Sequence, residues 1–113
     1  MLSERGRRAL LDMLENATAA QDFVQGLTVE AFAADRRTLY AVIRCLEIIS
    51  EASRRVDAAT VDRHPHVPWR QMADAGNVYR HRYANISAQL VWRTVLDRLP
   101  YMITVCQAEL TSG

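Results

Sequence analysis

The sequence predicts an all-α protein, a bundle of four to five up-down helices in a single domain spanning residues 1–113. Three observations carry this. Apolar residues recur at spacings of three and four through long stretches of the chain, the repeat of a helix with one buried face. Capping residues and helix breakers fall between those stretches. No segment alternates polar and apolar residues for long enough to form a strand.

The first helix opens after Ser3, whose side chain suits an N-cap, with Glu4 in the first turn where negative charge favours the helix dipole. Leu10, Met13, Leu14, Ala17, Ala20, Phe23 and Val24 form its apolar stripe, and Gly26 ends it. Thr28 and Asp35 are each able to cap the next helix. From about Arg36 to Val56 a second helix repeats the period through Leu39, Val42, Ile43, Leu46, Ile49 and Val56. Residues 57–68 are a break, because Pro65 and Pro68 lack an N–H and restrict the residues before them. A third helix starts near Trp69 and runs to about His81. Ser87 caps a fourth, with Leu90, Val91, Thr94, Val95 and Leu99 on one face. Pro100 either kinks that helix or opens a fifth, which carries Ile103, Cys106 and Leu110. Tyr40, Trp69, Trp92 and Tyr101 lie on or near these apolar faces and are expected in the core. A bundle this small has apolar flanks to cover, and homodimerisation through helix faces is the expected remedy.

Composition narrows the function. Half of the 113 residues are hydrophobic and 24% are charged, which excludes a disordered chain. All 14 basic residues are Arg, and the 13 acidic residues leave a net charge of +1. That balance argues against coating duplex DNA by bulk charge. It leaves local phosphate recognition open, because a guanidinium fork matches phosphate oxygens. Codon bias is the weightier account of the absence of Lys. Cys45 and Cys106 sit singly in apolar stretches and read as buried thiols in a reducing compartment. With no apolar leader and no run able to span a bilayer, a cytoplasmic protein without membrane association is expected.

One polar cluster carries chemistry: Gly76-Asn77-Val78-Tyr79-Arg80-His81-Arg82-Tyr83. On a continuous helix, Asn77, Arg80 and His81 share a face. An amide, a guanidinium and an imidazole fit a phosphodiester. Arg80 would hold the phosphate, His81 would pass a proton, and Asn77 would orient the imidazole or donate to an oxygen, with Arg82 in support. RNA brings its own nucleophile in the 2′-hydroxyl, so neither metal nor cofactor is required. The plainer alternative is a solvated pair of polar side chains. Glu47 and Glu51, one turn apart on the second helix, are either carboxylates facing this cluster or partners for Arg44, Arg54 and Arg55. His64 and His66 form an H-x-H in the Pro-rich break, but no further ligand completes a metal site, and loop residues are the expected reading.

Two longer stretches resemble a known family. The run from Leu39 to Ala52, with Ser50 at a position often held by Gly, resembles the second helix of the HepT-like branch of the HEPN domains. Trp69, Gly76-Asn77, Arg80-His81-x-Tyr83, Ile86, Val91-Trp92 and Leu99-Pro100 resemble its signature half. The resemblance implies a bacterial toxin component that forms a homodimer and cleaves RNA without a metal. It also implies a minimal nucleotidyltransferase antitoxin that adds AMP to a tyrosine. In the family motif, Arg-x4-His-x-Tyr, His81 matches the His and Tyr83 matches the AMP-accepting Tyr. Gly76 stands where the motif has Arg, and Arg80 is the guanidinium on offer in its place. The resemblance is also compatible with a non-catalytic HEPN domain that serves as the binding subunit of a nucleotidyltransferase.

Overall fold

The computed structural model describes residues 1–82 and 86–112, and among them the secondary structure is helical without a strand. Helix α1 spans Glu4–Val24, α2 Val29–Ala34, α3 Arg36–Ser53, α4 Ala58–Arg63 and α5 Trp69–Arg82. Helix α6 (Ala88–Arg93) passes through a π-helical turn, Thr94–Arg98, into α7 (Leu99–Ser112). The long helices α1, α3, α5 and α7 build the bundle, with α1 packed on α3 and α7, and α3 packed on α5.

The helix starts follow the side chains. Ser3 Oγ accepts from the Gly6 N–H at 2.8 Å, Thr28 Oγ1 from Ala31 at 3.1 Å and Asp35 Oδ1 from Thr38 at 3.2 Å. Ser87 Oγ accepts from Leu90 at 3.3 Å. Each satisfies an amide that the first turn leaves without a helical partner. Gly26 ends α1 in the left-handed region, at φ 79°, a conformation that only glycine adopts without strain. Both Thr28 and Asp35 act as caps, because the connection between the first two long helices contains the short helix α2.

The core is a mixture of small and branched residues. Ala9, Leu10, Met13, Ala17 and Ala20 of α1 are fully buried against a group that includes Val42 of α3 and Val95 and Cys106 of the last helix. Three alanines on one stripe of α1 allow α3 to approach closely. Phe23, expected in the core, is 46% exposed. The stripe passes from Ala20 to Val24 and leaves its neighbour on the outer edge. The buried phenylalanine is Phe32 of α2, whose ring lies 5.4 Å from that of Trp92 at a tilt of 44°. Tyr40, Leu90 and Tyr101 are also exposed rather than core residues. Both cysteines are free and buried, and burial pushes the Cys106 thiol up to about 12.

The Pro-rich break holds one helix that the sequence pattern does not announce. At six residues, α4 is too short to show a period. Asp57 stands at its N-cap position, yet its carboxylate turns to α1 and accepts from Ser3 N–H at 2.9 Å and Ser3 Oγ at 2.6 Å. Farther on, Glu109 of α7 is buried and receives Arg63 through Nη2 at 2.6 Å and Nε at 3.1 Å, with His64 Nε2 at 2.7 Å. The Arg63 bond, reinforced by His64, holds the Glu109 carboxyl down to about 2. Pro100 stands in the first turn of α7, where the sequence offered it as the opening of a further helix. It lacks an N–H, and just before it the ladder widens so that the Leu99 N–H reaches Thr94 C=O, five residues back.

The N-terminal latch can be tested through Gly6. A Cβ there would stand 2.5 Å from Asp57 Oδ2 and 2.6 Å from its Cγ, so alanine must displace the carboxylate from Ser3. Gly6→Ala is expected to lower the thermal midpoint. In an Asp57→Ala background the same change should raise it, because Ala favours helix over Gly by up to about 1 kcal/mol. The Glu109 clamp predicts a pH dependence. A carboxyl held below its ordinary value contributes stability that is complete above about 4.5 and is lost as pH falls toward about 2. Acid titration of helicity should show that loss in the wild type. Glu109→Gln should be less stable at pH 7 and flatter across the same window.

Candidate functional site

Helix α5 carries the polar cluster, and its start is well defined. Pro68, unable to extend a helix backward, supplies its carbonyl to Met72 N–H at 3.0 Å. Trp69 fixes the entry by donating its indole N–H to His64 C=O at 2.9 Å. The helix runs without interruption to Arg82, so Asn77, Arg80 and His81 have the helical spacing expected of them, and Asn77 is exposed. The side chains of Arg80, His81 and Arg82, and the whole of Tyr83, lie outside the described residues.

What holds this helix in place is a buried hydroxyl. Ser50 of α3 is 2% exposed. Its Oγ donates to Ala73 C=O at 3.0 Å and accepts from Gly76 N–H at 2.9 Å. Arg54, the residue that caps the C-terminus of α3, donates through Nε at 3.2 Å and Nη2 at 2.7 Å to the same Ala73 carbonyl. Three side-chain donors therefore converge on one backbone oxygen of α5, and Ser50 spans the carbonyl of residue 73 and the amide of residue 76. Gly76 is buried at this contact. The position where the family motif has Arg is thus part of the α3–α5 seam, and Arg80 comes one helical turn later.

Each of the two glutamates has an arginine partner close to it in the chain. Glu47 pairs with Arg44. Glu51 accepts from Arg55 at 3.0 Å, and Arg55 also reaches Asp12 of α1 at 3.3 Å. Burial raises the hydroxyl pKa of Tyr79, which lies half-buried beside Arg80 in sequence. His64 is engaged by Glu109. Among the described residues no group of three or more His, Cys, Asp or Glu is placed to hold a metal ion.

Arg54 was legible only as a possible ion-pair partner for a glutamate, because a side chain that serves a distant carbonyl leaves no local pattern. Its spacing of four from Ser50 was the available signal. Removing the hydroxyl takes from Ala73 C=O and Gly76 N–H the bonds that Ser50 supplies. Ser50→Ala is expected to cost about 0.5–1.5 kcal/mol in chemical denaturation, while Ser50→Thr, which keeps the oxygen, should cost less.

Comparison with known proteins gives a family and several relatives. The family described as "Ribonuclease HepT-like" matches residues 13–109. A protein of Thermococcus cleftensis named "Probable ribonuclease HepT" is 35% identical over 91 residues, covering 80% of this chain and 83% of the relative. "Putative RNase MJ1380" of Methanocaldococcus jannaschii is 36% identical over 100 residues, covering 88% of this chain and 92% of the relative. No solved structure gives a significant match. With the matched span taking in α3, α5 and the seam between them, the chain belongs to the HepT-like ribonuclease family.

Proposed function

We propose that this protein is a metal-independent endoribonuclease of the toxin type, acting as a cytoplasmic homodimer. The observation that carries the reading is helix α5. It presents Asn77, Arg80 and His81 at helical spacing, within a chain that belongs to a ribonuclease family. The 2′-hydroxyl of the substrate attacks the adjacent phosphorus and the 5′-oxygen leaves, giving a 2′,3′-cyclic phosphate and a 5′-hydroxyl. His81 passes the proton, taking it from the nucleophile or giving it to the leaving oxygen. Arg80 balances the charge that develops on the phosphate oxygens, and Asn77 and Arg82 support it. The cognate antitoxin is a minimal nucleotidyltransferase. It transfers AMP from ATP to the Tyr83 hydroxyl, breaking the bond between the α- and β-phosphates and releasing pyrophosphate and a proton, and so places a bulky phosphodiester two residues from His81.

A second reading has its own support. Gly76 is buried against Ser50 and supplies no guanidinium at the motif position. On that reading the chain is a non-catalytic HEPN domain that binds a nucleotidyltransferase.

Cleavage of a labelled RNA in the presence of EDTA separates the two. The wild type should cut. His81→Ala should slow the reaction by about 10²–10⁴-fold, and Arg80→Ala by about 10²–10³-fold. Expression of the chain alone should slow growth and His81→Ala should relieve it. Intact RNA with the wild type, together with equal growth of His81→Ala, establishes the binding-subunit reading instead. Co-expression with the antitoxin should add the mass of AMP at Tyr83, and an unmodified tyrosine would remove that part of the proposal.

A further inference from the structure

A groove of about 570 Å³ runs between α5 and the helix formed by α6, the π turn and α7. Its lining includes Leu46 and Ile49 of α3, with Met72 and Tyr79 of α5. Arg93, Arg98 and Tyr101 line it from the last helix. Tyr79, which lines the groove, directly precedes Arg80 and His81 on helix α5.

The π turn gives this wall its character. In a regular α-helix, residues five apart point about 140° away from each other. Across a turn closed by i→i+5 bonding they come round toward the same side. Residues 93 and 98 are such a pair, flanking the turn Thr94–Arg98, and both guanidinium-bearing side chains line the same groove. Among the described residues neither makes an ion pair, although Asp97 lines the groove beside them. Tyr101 is 46% exposed in the same lining. Two arginines, an exposed aromatic ring and apolar side chains in one groove lining match a strand whose charge is on one edge and whose flat apolar faces are on the other.

We propose that this groove is the docking track for single-stranded RNA. Arg93 and Arg98 contact successive phosphates, and Tyr101 stacks on a base. A duplex, with its bases already stacked inside, offers nothing to the floor, so unpaired RNA is the ligand selected. The track deepens the ribonuclease reading and rests on it for the direction in which the strand runs, toward His81.

The test uses the full chain and a fluorescent 2′-O-methyl RNA single strand of about 12 nucleotides, which cannot be cut because its nucleophile is blocked. Binding is read by anisotropy over a range of salt concentrations. Arg93→Ala with Arg98→Ala should weaken binding at least tenfold and reduce the logarithmic salt slope by about 1.4, about 0.7 for each lost phosphate contact. Tyr101→Ala should weaken binding while Tyr101→Phe, which keeps the ring, should not. The same sequence as a duplex should bind more weakly than the single strand.

Unchanged affinity and salt slope in the double variant would overturn the track. So would a double variant that keeps RNA affinity but shifts from dimer to monomer in sedimentation, since the groove would then be covered by a second copy. The outcomes separate from those of the cleavage assay. A wild type that cuts RNA, with the arginine pair dispensable for binding, removes the track and leaves the ribonuclease. A wild type that binds through the arginine pair without cutting keeps the track and removes the ribonuclease.

Discussion

The Ser50 hydroxyl is the contact on which the placement of α5 depends. Apolar packing between α3 and α5 is tolerant of small axial shifts, because one methylene contact replaces another at little cost. A buried hydroxyl with a donor on one side and an acceptor on the other is not tolerant. Ser50 must meet both Ala73 C=O and Gly76 N–H, and a slip of one residue would leave buried polar groups without partners. Arg54 adds a fork to the same carbonyl and strengthens the choice of register. The helix that carries residues 77–82 is therefore positioned by hydrogen bonds from outside itself, while its own apolar residues provide adhesion.

The far end of the bundle is closed by charge as well as by volume. The segment between α3 and α5 buries Val56 and Val67, and its two prolines prevent one long helix from filling the space. Two carboxylates hold it down. Asp57 ties its beginning to Ser3 at the start of α1, and Glu109 ties Arg63 and His64 to α7. Trp69 then closes the segment by bonding back to His64 C=O. The strap is thus attached to the first and last helices before it delivers the chain to α5. The same logic explains why His64 belongs to the scaffold: its ring is engaged by a buried carboxylate, and the H-x-H pattern in the sequence has a structural use.

The long helices, their caps and the all-α class were legible because each depends on short-range spacing. Ser3, Ser87 and Gly26 act locally, and local chemistry is what a linear sequence displays. Phe32, α4 and Glu109 were not legible for the opposite reason. Phe32 belongs to a helix of six residues, too short for a period, and its burial is decided by Trp92, 60 positions away in the chain. Glu109 looks like a surface acid until Arg63, 46 positions earlier, is brought to it. Tyr40 and Tyr101 were misplaced because the edge of an apolar stripe does not reveal whether another helix covers it. At the candidate site, the residue types and their helical spacing were evident in the sequence. That Gly76 faces a serine on α3 was not, since neither residue carries a signal of the other.

The charge inventory gains meaning once the arginines are sorted by what they touch. Arg44, Arg55 and Arg63 meet carboxylates, and Arg54 is spent on a backbone carbonyl. A net charge of +1 is therefore an average over guanidinium groups with different duties, and it says little about any one place on the surface. Affinity for a nucleic acid on such a protein has to come from a few aligned groups. The π turn before Pro100 supplies an alignment that a regular helix would not. Widening a helix is a local departure from the best hydrogen-bond geometry, and Pro100 makes it inexpensive because its own place in the ladder is already empty. One proline thus connects backbone chemistry to side-chain display: the missing N–H permits the wide turn, and the wide turn sets Arg93 and Arg98 along one wall beside the helix that bears His81.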